Sequence, residues 1–143
     1  MSILQQVQDD VKTAMKAGER ERVGQLRMLV NALQAEQKEG KGDEVAALQR
    51  ERNRRLDAAE ALREGDRTDQ ANAEETEARL IEGYLPEQLP DEELSELVAG
   101  AVEESGASEP KDMGSVMKVL MPKVGGRADG KRVSQAVLEK LGA

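Results

Sequence analysis

The chain of 143 residues has no cysteine, no histidine, no phenylalanine and no tryptophan, and Tyr84 is its only aromatic residue. Without Cys and His, Cys/His zinc sites, thiol chemistry, Ser-His-Asp triads and histidine acid–base catalysis are excluded. Disulfides are excluded too, which suits a reducing compartment. A core without Phe or Trp must be built from Leu, Val, Ile, Met and Ala. Stacking of bases on protein rings is all but excluded. No run approaches the ~18 apolar residues of a membrane span. The first ten residues, MSILQQVQDD, lack the basic region and long apolar stretch of a secretory leader. These absences predict a soluble, cytoplasmic protein.

What the chain does have is charge and helical periodicity. It is 38% hydrophobic and 35% charged, with a net charge of -8. That balance suits small helical bundles with solvated faces, and it disfavours nucleic-acid binding over the whole surface. Ser2 and Gln5 form a capping-box signature. Ile3, Leu4, Val7, Val11, Ala14 and Met15 then recur every three to four residues, up to Gly18. A second helix is expected over 19–39, with Val23, Leu26, Leu29, Val30 and Leu33 on its stripe. Asp43 can cap a third, and Thr68 or Asp69 can start a fourth. In YLPEQLP, residues 84–90, two prolines four residues apart cannot continue a helix, so a domain boundary is placed there. Asp91 is expected to cap the next helix. A short one follows with Met113, Val116, Met117, Leu120 and Met121 on one face, stopped by Pro122. Asp129 caps the last. The expectation is an all-α protein, with an N-terminal domain of about four helices over 1–90 and a three-helix C-terminal domain over 91–143. The ring of Tyr84 is expected between the two domains with its hydroxyl at the surface.

Charge is unevenly placed. Residues 1–90 hold 14 Lys/Arg against 19 Asp/Glu, residues 91–110 hold none against seven, and residues 111–143 hold seven against three. A cationic tail thus follows an acidic helix. Within it, GGRADGK at 125–131 satisfies the GxxxxGK spacing of a nucleotide loop. A magnesium-holding Ser or Thr should follow, yet Arg132 does, and a helix precedes the loop in place of a strand. The better reading is a helix–loop–helix corner. Gly125 and Gly126 permit a tight exit, Gly130 lets another backbone approach, and Lys118, Lys123, Arg127, Lys131 and Arg132 gather round it. Such a corner can hold phosphate oxygens, or it can simply balance the acidic helix beside it. The basic run RERNRR at 50–55 reads as a charge-laced exposed face. The acids of 91–105 lack metal-ligand spacing, and the methionines at 113, 117 and 121 read as core. No catalytic residue, metal site or cofactor is expected.

Three stretches carry a resemblance: LRMLVNAL at 26–33, YLPEQL at 84–89 and, above all, KDMGSVMKVLMPKVGGRADGKRVSQAVLEKL at 111–141. Together they identify the chain as similar to the YqeY-like proteins, stand-alone relatives of the tail domain of GatB, the B subunit of the tRNA-dependent amidotransferase. The resemblance implies two helical domains and kinship with a domain that grips tRNA at its outer corner. It also attaches the terms carbon–nitrogen ligase and glutamine amido donor. The parts that activate the carboxylate and hydrolyse glutamine are absent from this chain, so no catalysis is expected of it alone. The family's tRNA-facing segment maps onto Lys123 to Arg132. The implied site is Lys118, Lys123, Gly125, Gly126, Arg127, Gly130, Lys131 and Arg132. The implied partner is tRNA, with amidotransferase or aminoacyl-tRNA synthetase components as further candidates, and neither DNA nor membrane. The alternative is a helical protein–protein interaction module in translation that binds no RNA.

Overall fold

Ser2 and Gln5 cap each other at the start of the first helix, as their spacing predicts. The Gln5 N–H donates to Ser2 Oγ at 3.1 Å and the Ser2 N–H donates to Gln5 Oε1 at 3.0 Å. The computed structural model describes residues 1–142 and is all-α. Its helices are α1 (Ile3–Lys16), α2 (Arg20–Glu39), α3 (Glu44–Glu64), α4 (Thr68–Glu82), α5 (Asp91–Ser105), α6 (Met113–Val124) and α7 (Gly130–Lys140). A 3-10 turn, Pro110–Asp112, leads into α6. No strand occurs among the described residues, and no helix there is long and apolar enough to cross a membrane. The chain divides into two compact units, Met1–Leu85 and the residues from Pro86 onward. Residues 86–90, read from the sequence as part of the N-terminal domain, thus fall in the second unit.

In the first unit, Leu4, Val7, Leu26, Leu29, Leu33, Leu48 and Ile81 form the core. Buried Ala59, Ala71 and Ala78 let α3 and α4 approach closely. Arg52 meets Glu82 while Arg63 meets Glu75, the reversed order of an antiparallel hairpin. A cap that no local pattern announces joins α3 to α1. Glu44 accepts the N–H groups of Ile3 and Leu4 at 3.1 and 2.8 Å. Those are two of the amides a helix start leaves unsatisfied. Tyr84 departs from expectation. It packs partly buried against this unit's own core, and its hydroxyl donates to the Asp10 carboxylate. Burial and that carboxylate both push its pKa upward.

The second unit packs Leu94, Val98 and Ala101 of α5 against Val116, Leu120 and Val124 of α6 and Val133 and Val137 of α7. Three local expectations are corrected. Pro90, not Asp91, is the N-cap of α5, and Asp91 makes no side-chain cap because it is already the first helical residue. Pro122 does not stop α6, which runs on to Val124. Proline cannot donate to the Lys118 carbonyl, but so near the helix end only one internal bond is lost. Burial of Val124 holds the last turn in place. Met121 is exposed, because the buried stripe is centred on Val116, Leu120 and Val124.

Candidate nucleic-acid interface

The corner between α6 and α7 is built from backbone outward. Gly125 ends α6 in the left-handed region at φ +58, and its N–H donates to the Met121 carbonyl at 3.2 Å. Gly126 follows at φ +81. Two successive positive φ values turn the chain sharply at a site where L side chains are strained. Asp129 then caps α7, accepting the Arg132 N–H on Oδ1 at 2.8 Å. The N–H groups of Gly130 and Lys131, the first two of α7, have no acceptor among the described residues. Gly130 itself is not required by its surroundings. Its φ is not positive, and a Cβ there would meet nothing within 4 Å, so the expected close backbone approach is absent.

The five cations do not form one cluster. Lys123 Nζ pairs with Glu104 Oε2 at 2.6 Å, and Arg132 Nη2 with Asp91 Oδ1 at 2.7 Å. Asp91 opens α5 and Glu104 lies in its last turn, so the two pairs sit roughly 20 Å apart along that helix. Arg127 turns back on α6. Its Nε donates to the Val124 carbonyl at 3.1 Å and its Nη2 to the Lys123 carbonyl at 3.0 Å, satisfying the carbonyls that a helix end leaves open. Its own carbonyl accepts the Leu89 N–H at 2.8 Å, which fixes the segment entering α5 against the corner. Of the five, Lys118 and Lys131 are exposed with neither an ion pair nor a side-chain hydrogen bond among the described residues, and Arg127 is exposed without an ion pair. Lys118 lies seven residues before Gly125 and so shares its face of α6, about 10 Å away.

The other basic run is fully committed to structure. Arg50 pairs with Glu36 at 2.7 Å, Arg52 with Glu82 at 2.8 Å and Arg54 with Glu51 at 3.0 Å. Arg55 lies among Glu51, Glu74 and Glu77 at 3.8, 3.6 and 3.3 Å. Three carboxylates on one half-buried guanidinium leave excess negative charge. Burial, together with Glu74 and Glu21, raises the pKa of Glu77 despite Arg55. Among the described residues, no group of three or more acids is placed to hold a metal ion.

The model of the Yqey-like protein family, YqeY, matches residues 4–141. The chain belongs to the YqeY family. That match spans both compact units and contains the whole α6–α7 corner of this YqeY chain. No curated protein matches it. Sequence reasoning set the acidic helix beside the corner as its counter-charge but singled out neither Asp91 nor Glu104 as a partner. The signal was present as an acidic helix preceding a cationic tail, but partners so distant in sequence are chosen by packing.

Proposed function

We propose that this YqeY-family chain is an accessory module that binds the phosphate backbone of tRNA at the α6–α7 corner and has no catalysis of its own. The observation that carries this reading is the corner's unspent chemistry. Lys118 and Lys131 are exposed without ion pairs, and the first two amides of α7 lack acceptors. Lysine ammonium groups and helix-start amides together suit phosphate oxygens. Arg127 spends two donors on carbonyls but keeps its charge beside them. With a single tyrosine packed against its own unit, readout is of shape and backbone, not of splayed bases.

A net charge of -8 disfavours such binding over most of the surface. About three phosphate contacts give a log–log salt slope of roughly -2 to -3. The test is a titration of labelled bulk tRNA with the purified chain and with Lys118→Ala, Lys131→Ala. Loss of salt-sensitive binding in the double variant supports the site, and unchanged affinity rejects it.

One observation favours a second reading, a helical protein-interaction module without RNA. Glu92, Glu93, Glu96 and Glu103 of α5 are exposed and have no ion pair among the described residues. They form an acidic face suited to a basic protein surface. Absence of any tRNA binding at low salt would leave that reading in possession.

A further inference from the structure

The two ion pairs at the corner join segments of opposite charge. Residues 91–110 contain no Lys or Arg, and they supply both acids that hold the corner's cations. Each pair is a direct charge-assisted contact, at 2.6 and 2.7 Å. Each acid is open to water, with Asp91 98% and Glu104 58% exposed at the side chain. An exposed carboxylate on an exposed or half-buried surface cation makes a weak bond that a competing anion can replace. A phosphate is such an anion, and it presents the same oxygen geometry to a guanidinium or an ammonium.

We propose that α5 is an internal competitor for the corner. Without nucleic acid, Asp91 and Glu104 occupy Arg132 and Lys123; an arriving phosphate backbone displaces both carboxylates and takes the two cations. This rests on the phosphate-backbone reading above and adds a regulatory contact to it. The corner then binds in two tiers. Lys118 and Lys131 are available from the start, and Arg132 and Lys123 are released only against a polyanion able to outcompete two carboxylates. Because the two pairs stand roughly 20 Å apart along α5, one small anion cannot displace both. An extended backbone can. The contact thus discriminates a nucleic-acid strand from free phosphate.

The experiment compares three proteins for bulk tRNA binding at low and moderate salt: the natural chain, Asp91→Asn with Glu104→Gln, and Glu92→Gln with Glu96→Gln. The last pair removes the same charge from the same helix but touches neither ion pair. Circular dichroism checks that all three keep their helices. Asp91→Asn with Glu104→Gln should bind about three- to tenfold tighter, within the range for releasing two surface ion pairs. The control pair should change affinity less than about twofold. Equal tightening by both double variants would reduce the effect to general electrostatics and overturn the competitor. So would unchanged affinity in Asp91→Asn with Glu104→Gln while the natural chain binds, and in either case the backbone reading would stand. Absence of salt-sensitive binding in all three proteins would overturn both.

Discussion

Single carboxylates decide several features of this chain, each through a different physical effect. Glu44 satisfies two amides of α1 from another helix. Glu44→Ala should therefore destabilise the protein by about 1–2 kcal/mol, read from urea unfolding, because it leaves charge-assisted bonds unmade. Glu77 acts in the opposite sense. Burial raises its folded pKa above its unfolded value, so the folded state gains from protonating it. That gain is fully present below the unfolded pKa, near pH 4, and is lost as pH rises through the folded value. Glu77→Gln should melt no lower than the natural protein at pH 7, and the difference should shrink as pH falls towards 4. A variant markedly less stable at pH 7 would show that pairing with Arg55 outweighs burial.

At the scale of elements, the corner offers a paired test. Gly125 sits at φ +58 and Gly130 outside the positive region, with open space around both. Gly125→Ala should cost about 1 kcal/mol through backbone strain alone. Gly130→Ala, at the first position of α7, should be neutral or stabilising by up to about 1 kcal/mol. Thermal melts of the two variants should move in different directions. The sequence made the helices legible because apolar spacing and caps are local. The Ser2–Gln5 box, the Asp43 and Asp129 caps and the corner itself are where those rules place them. What it misjudged was tertiary in origin. Buried Val124 carries α6 past Pro122, and the hydroxyl of Tyr84 finds Asp10 across 74 residues. Gly130 shows the converse error, a glycine that looked structural in a motif and touches nothing.

For the molecule as a whole, the candidate site was legible as a charge pattern but not as a charge balance. Lysines and arginines counted along 118–132 suggest one basic cluster. Packing distributes them among two ion pairs, one helix end and two free lysines. The RERNRR run shows the same effect more fully, since every one of its arginines is paired. A protein of net charge -8 can still attract a polyanion where uncommitted cations share a corner with open amides. The most direct test is tRNA binding measured against salt for the natural chain and for Lys118→Ala, Lys131→Ala. Binding with a log–log slope of roughly -2 or steeper, lost or strongly weakened in the variant, is the expected result. Binding by the variant equal in affinity and slope, or no binding by the natural chain even at low salt, would contradict it.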